Sequence, residues 1–278
     1  MSDSPAHFDC TTPEGRQEGV AAAADAVRRG EVVVLPTDTV YGVGADAFNP
    51  DAVAAVLAAK GRDRHMPPPV LVPHARTVDG LAIDVPPYAR DLMERFWPGP
   101  LTLVLLAQPS LMWDLGETNG TVALRIPQDE TAIALLTEVG PMAVTSANLT
   151  GEPAAMTAEE AEAMLGDAVG VYLDGGPCED GEASTILDCT QERPRVLRDG
   201  AIDEEALREV LGSVRLEGDD DPADGDLGDG DLGDGELGDG ALGDGESARQ
   251  ESAHDDRLAG LPRLDPGTPS GRPDGPTL

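Results

Sequence analysis

An α/β domain built on a sheet is predicted for the first 216 of the 278 residues. Helical and strand-like periodicities alternate along that stretch. A short apolar run at Val32–Leu35 leads through a polar turn into a capped helix, as in a sheet-and-helix unit. Beyond Glu217 aromatic residues vanish and the patterning stops. The chain has room for one large domain or two small ones, so a core can form without a disulfide or metal staple.

The elements follow in order. Gln17 to Arg29 carries Val20, Ala23, Ala24 and Val27 at helical spacing, with Gly30 placed to stop it. Val32–Leu35 is a short buried strand. Asn49 and Pro50 supply an N-cap and a first-turn proline for a helix running through Val53, Val56 and Leu57 to Lys60 and Gly61. Strands are expected at Val70–Val72, Leu101–Leu106, Thr121–Ile126, Met142–Thr145, Val169–Leu173, Ser184–Asp188 and Arg195–Leu197. Helices are expected at Pro87–Phe96, Glu130–Val139, Thr157–Leu165 with a capping box at Thr157 and Glu160, and Asp203–Leu211.

Residues 217–278 form an acidic tail with a five-residue period of the type Asp-Leu-Gly-Asp-Gly, starting at Asp226. One leucine per repeat cannot offset the ordering entropy of the glycines, so the tail is expected to be disordered. Calcium-binding β-rolls repeat every nine residues, which this period does not match.

The formal net charge is −34, with 18 acidic and 4 basic residues from Glu217 onward and −20 on the rest. Such a field repels free nucleic acid and anionic membranes, so any nucleotide must be held by a local cation cluster. Of 19 basic residues, Lys60 is the single lysine. An acid-rich, lysine-poor surface suits a high-salt cytoplasm, where salt screens self-repulsion, and the composition is read as haloarchaeal in type. Cys10, Cys178 and Cys189 match neither a disulfide framework nor a zinc site. The first ten residues lack a signal-peptide pattern and no apolar run reaches membrane-spanning length. A soluble, cytoplasmic protein is expected.

Several segments carry chemistry. Pro36-Thr-Asp-Thr39-Val-Tyr-Gly42-Val-Gly44 is a turn dense in hydroxyls and glycines. Gly42 and Gly44 mimic part of a dinucleotide fingerprint, but six residues separate them from the preceding strand and the helix cap waits until Asn49. These glycines are read instead as letting backbone approach a ligand or another strand closely, with a plain structural turn the other reading. Lys60, Arg62, Arg64 and His65 concentrate positive charge at a helix C-terminus, where cations are favourable in any case and where a triphosphate could also be gripped. Thr121, Ala123 and Arg125 share one strand face, from which Arg125 can pair with a carboxylate in a cleft. Thr145, Ser146 and Asn148 lie just past a strand end, where open sheets bind ligands.

Taken together, Pro36–Gly42, Lys60-Gly-Arg62, Val122-Ala-Leu-Arg-Ile-Pro127, Ser146-Ala-Asn148, Ser184-Thr-Ile and Arg198-Asp-Gly200 resemble the YrdC-like family of L-threonylcarbamoyladenylate synthases over residues 15–212. The resemblance implies a twisted open mixed sheet with a concave basic cavity. It implies a nucleotidyltransferase that condenses L-threonine, bicarbonate and ATP with Mg²⁺ into threonylcarbamoyl-AMP and diphosphate. That product would feed a separate transferase machinery that makes N6-threonylcarbamoyladenosine on tRNA. By position, Thr39, Arg125, Ser184 and His74 would hold threonine. Lys60, Arg62, Thr121, Ser146, Asn148 and Arg198 would hold ATP, with Lys60 and Arg62 also acting on the reacting phosphate. No protein-bound metal is implied.

The chain departs from the family pattern at places. Met66 stands where the family has Asn, two residues are inserted there, and the following His, here His74, is displaced by one. Ala154 stands where a Ser often contacts ATP. Archaeal relatives append a second small domain where this chain carries the acidic repeat. A non-catalytic RNA-binding module of the same fold would need a contiguous basic surface, against which the −20 charge counts. A carbamoyl transferase of the hydrogenase-maturation type would bring zinc-finger modules, and the sequence has no Cys-x-x-Cys pair. Stable direct nucleic-acid binding is not expected.

Overall fold

The computed structural model describes residues 4–178 and 181–219. Its strands are β1 (Ala6–Asp9), β2 (Val33–Leu35), β3 (Gly42–Asp46), β4 (Val70–Leu71), β5 (Ala82–Ile83), β6 (Leu101–Ala107), β7 (Thr121–Arg125), β8 (Met142–Ser146), β9 (Val171–Asp174), β10 (Thr185–Asp188) and β11 (Arg195–Arg198). The helices are α1 (Pro13–Arg28), α2 (Pro50–Lys60), α3 (Val78–Leu81), α4 (Pro87–Phe96), α5 (Glu130–Val139), α6 (Ala158–Leu165) and α7 (Glu204–Leu211).

The strands form one mixed sheet in the order β1-β9-β2-β3-β8-β4-β7-β6-β10-β11, with β5 pairing with β6 at the side. Pairs β1/β9, β2/β9, β4/β7 and β6/β10 are parallel. Pairs β2/β3, β3/β8, β4/β8 and β6/β7 are antiparallel. In the half containing β2 and β3 both faces are buried. Val33 and Leu35 pack with Ala23 and Val27 of α1 and Leu135 and Leu136 of α5. Val34 and Val43 pack on the other side with Val56 of α2 and Ala161 of α6. In the half containing β6 and β7, Leu103, Leu124 and Leu187 bury one face under α4 and α7. On the opposite face Leu71 pairs with Arg125, and Thr102 pairs with Ile186. The β6/β7 register sets Thr102 opposite Arg125, so these four side chains form a row across four strands. All four line a cavity.

The helix ends follow local chemistry. The Asn49 side chain accepts hydrogen bonds from Asp51 N and Ala52 N, Pro50 fills the first turn, and Gly61 ends α2 in the left-handed region at φ 60°. That cap turns the chain so that Lys60 and Arg62 both reach the cavity. Helix α1 starts earlier than its apolar periodicity, because Thr12 caps Gly15 N and Pro13 occupies the first turn.

The structure departs from the sequence reading at Gly42–Asp46, which is a strand rather than part of a turn. A Cβ on Gly44 would stand 2.6 Å from Val144 Cγ2 and 2.7 Å from Ala143 O. The glycines therefore serve strand-to-strand approach, the former of the two readings. Since a backbone oxygen cannot retreat without breaking the β3/β8 ladder, Gly44→Ala is expected to destabilise the protein by about 1–3 kcal/mol, measured by thermal melting.

The folded body also exceeds residues 15–212. Strand β1 pairs with β9, Leu216 is buried, and Asp219 meets Arg208 at 3.0 Å. The expectation of disorder for the tail falls, from residue 220 on, outside the described residues. No described helix is long and apolar enough to cross a membrane.

Candidate active site

The cavity has a volume of about 410 Å³, the size of a small-molecule site. Its floor is the row Leu71, Arg125, Thr102 and Ile186, and its walls come from the loops after β2, α2 and β8 and before β10.

Arg125 is 6% exposed. Its Nε donates to Gly99 O at 3.0 Å, Nη1 to Thr39 Oγ1 at 3.0 Å, and Nη2 to Asp38 Oδ1 at 2.6 Å. Five N–H groups minus these three leave one on each terminal nitrogen for the cavity, the fork that grips a carboxylate. Burial pulls the Arg125 pKa below the ordinary guanidinium value, and the Asp38 charge opposes that shift. Asp38 Oδ1 also accepts from Gln128 N at 2.7 Å, while Oδ2 is buried without a partner among the described residues. The turn carrying Thr39 is held by its own hydroxyls: Thr37 Oγ1 donates to Val40 O at 2.6 Å and lies 3.0 Å from Thr39 Oγ1.

Lys60 is 3% exposed, and its ammonium donates to Ser146 O, to Asn148 O at 2.7 Å and to Asn148 Oδ1 at 3.0 Å. Asn148 Nδ2 in turn donates to Leu149 O at 2.9 Å and Glu152 O at 2.7 Å. Both side chains thus shape the loop after β8, and the Lys60 charge is held beside the cavity. Arg62 Nε donates to Met66 O at 2.7 Å and Nη1 to Thr145 Oγ1 at 2.9 Å. Across the floor, Arg198 Nε and Nη2 donate to Ser184 O at 3.0 and 2.8 Å, and Nη2 also to Ser184 Oγ at 2.9 Å.

Among the described residues four cations, Lys60, Arg62, Arg125 and Arg198, therefore line one cavity, against one lining carboxylate, Glu152. This is the local positive site that a chain of net charge −34 needs to hold an anion. The thiols do not provide a nucleophile. Burial pushes Cys10 up to about 11 and raises Cys178 and Cys189, which keeps them protonated near neutral pH.

Of the residues singled out in the sequence, Thr39, Lys60, Arg62, Arg125, Ser146, Asn148, Ser184 and Arg198 line the cavity. Two do not. His74 is exposed, precedes a 3-10 turn at Ala75–Thr77, and its Nδ1 sits 3.0 Å from Thr77 Oγ1. Thr121 is on the correct strand face but four residues, about 13 Å, from Arg125, and its hydroxyl donates to Thr118 O at 2.8 Å. Thr145, named with Ser146 and Asn148 at the strand end, also lines the cavity, and so do Thr37 and Thr102, which were not singled out as ligands. Thr102 had a signal, being one hydroxyl inside the apolar run Leu101–Ala107.

The sequence profile of the Sua5/YciO/YrdC family, described as "Telomere recombination", matches residues 25–200. The chain belongs to this family. A Sua5/YciO/YrdC relative from Mycobacterium tuberculosis, named putative threonylcarbamoyl-AMP synthase, is 55% identical over 205 residues, covering 74% of this chain and 94% of its own length. The threonylcarbamoyl-AMP synthase of Bacillus subtilis is 40% identical over 201 residues, covering 71% of this chain and 58% of its own. The crystal structure of Pyrococcus abyssi Sua5 complexed with L-threonine superposes with a TM-score of 0.71 at 32% identity, over 77% of this chain and 62% of that one. The α/β fold with its mixed, twisted sheet is that of the Sua5/YciO/YrdC structures.

Proposed function

We propose that this protein is an L-threonylcarbamoyl-AMP synthase, a nucleotidyltransferase that joins L-threonine, bicarbonate-derived CO2 and ATP and releases diphosphate. The observation that carries the reading is the buried Arg125, with two N–H groups unspent among the described residues, in a cavity that three further cations line. The 55% identity to a relative of that name and the likeness to a threonine-bound structure support it.

In this reading Arg125 takes the threonine carboxylate in a bidentate grip, with Thr39 and Ser184 as hydroxyl partners. Arg62 and Arg198 hold phosphate oxygens, and Lys60 and Asn148 fix the loop that carries Ser146 toward the nucleotide. The threonine amine captures CO2, a carbamate oxygen attacks the α-phosphorus, and diphosphate leaves. Positioning and charge stabilisation supply the acceleration, since no side chain forms a covalent bond.

Among the described residues no group of three or more His, Cys, Asp or Glu could hold a metal ion. In this reading Mg²⁺ enters as part of the MgATP substrate, with Glu152 a lining carboxylate near it. When bound it neutralises phosphate charge. The product would pass to a separate transferase acting on tRNA. The free thiols of Cys10, Cys178 and Cys189 support a reducing, cytoplasmic location.

Diphosphate release from MgATP and bicarbonate, assayed with and without L-threonine in multimolar KCl as the acid-rich composition suggests, tests the reading. Strict threonine dependence supports it, and threonine-independent or absent release by folded protein overturns it. Because His74 and Thr121 lie away from the cavity, His74→Ala and Thr121→Val are expected to keep kcat/KM for threonine and for ATP within about twofold, since surface substitutions away from a site change little. A tenfold loss in steady-state kinetics would restore either residue to the site.

A further inference from the structure

Thr102 is the most deeply buried serine or threonine lining the cavity among the described residues, at 1% exposure. Its Oγ1 has one hydrogen-bond partner among the described residues, Ser184 Oγ at 2.9 Å. Ser184 Oγ in turn accepts from Arg198 Nη2 at 2.9 Å. A guanidinium at one end of a hydroxyl chain polarises the chain, so each O–H points away from the cation. Either hydroxyl of the Thr102–Ser184 pair can donate, and the order this polarity favours is Arg198 to Ser184 to Thr102, which leaves the Thr102 proton as an unspent, buried donor. An orphaned buried donor is costly unless something arrives to accept from it. The β6/β7 register, with Leu103 opposite Leu124, puts Thr102 beside Arg125 on the cavity face. The unspent hydroxyl proton and the two unspent guanidinium protons therefore serve the same part of the cavity.

We infer that Thr102 is a further substrate-binding residue, whose hydroxyl donates to the threonine carboxylate beside the Arg125 fork. The inference rests on the proposed threonine-dependent synthesis and adds a residue to it. The chain also ties the two substrate sites together, because Arg198, on the nucleotide side, orients the donor on the amino-acid side.

The test is calorimetric titration of L-threonine into the full-length protein without nucleotide, for wild type, Thr102→Val, Thr102→Cys and Thr102→Ser, with MgATP titrated separately. A hydrogen bond to a charged group is worth enough that Thr102→Val and Thr102→Cys are expected to weaken threonine binding about tenfold or more. Thr102→Ser, which keeps the hydroxyl, is expected to stay within about threefold of wild type, and all three variants to bind MgATP within about twofold. Threonine binding unchanged in the valine and cysteine variants overturns the inference while leaving the synthase reading standing. An equal loss for MgATP and threonine, or no rescue by serine, also overturns it, because that is the signature of a purely structural hydroxyl. Wild-type protein that takes no threonine overturns both the inference and the reading beneath it.

Discussion

Replacing Arg125 by alanine is expected to lower threonine-dependent kcat/KM about 10²- to 10³-fold, because truncating one partner of a buried charge pair costs about 2–5 kcal/mol and each 1.4 kcal/mol is about tenfold. The same change also removes the ion-pair partner of Asp38, whose Oδ2 is already buried without a partner among the described residues. Arg125→Ala alone therefore destabilises the fold, by about 3–5 kcal/mol for a stranded buried charge. Combining it with Asp38→Ala separates the two effects. The double variant is expected to regain thermal stability while remaining inactive with threonine. Recovery of activity together with stability would show that Arg125 serves the fold rather than the substrate. Arg125→Lys keeps the charge but loses the fork, and is expected to fall between the two.

Lys60 carries the second large effect. Its ammonium satisfies three acceptors on the loop after β8, two of them main-chain carbonyls. Lys60→Met keeps the length of the side chain but orphans those acceptors and removes a positive charge from the nucleotide side of the cavity. Each orphaned buried acceptor costs about 1–3 kcal/mol, so a fall in melting temperature is expected. A loss of at least about 100-fold in kcat is expected alongside it, the scale seen when a charge-stabilising group is removed from an active site. Lys60→Arg is not expected to rescue, since the planar guanidinium does not fit a cage built for a compact ammonium. Steady-state diphosphate release together with thermal melting checks this, and near-normal turnover in the methionine variant would contradict it.

Where caps and periodicity agree, sequence and structure coincide: Pro87–Phe96 and Glu130–Val139 are helices with the bounds the pattern predicts. Strand β3 was not legible because two of its five residues are glycine, and what makes it a strand is the close fit of Gly42 and Gly44 against Val144, a long-range contact. Strand β1 is only four residues long and owes its pairing to β9, about 165 residues away. In the site, Arg125 was legible as a charge on the polar face of an alternating strand. Its partner Asp38 was not, because only the fold brings the turn after β2 to the end of β7. Thr37 and Thr102 read locally as ordinary turn and strand residues, and the cavity they share with Thr145 exists only once β6, β7, β8 and β10 are side by side. His74, carried over by motif order, is exposed and outside the cavity.

Product identity decides whether the protein makes threonylcarbamoyl-AMP. Purified protein would be incubated with ATP, Mg²⁺, L-threonine and ¹³C-bicarbonate, and the products followed by mass spectrometry and carbon NMR. A single species containing AMP, threonine and one labelled carbonyl carbon, formed with one equivalent of diphosphate, is the predicted result. ATP consumption that yields only ADP or AMP, or an adenylate carrying no bicarbonate carbon, would contradict it.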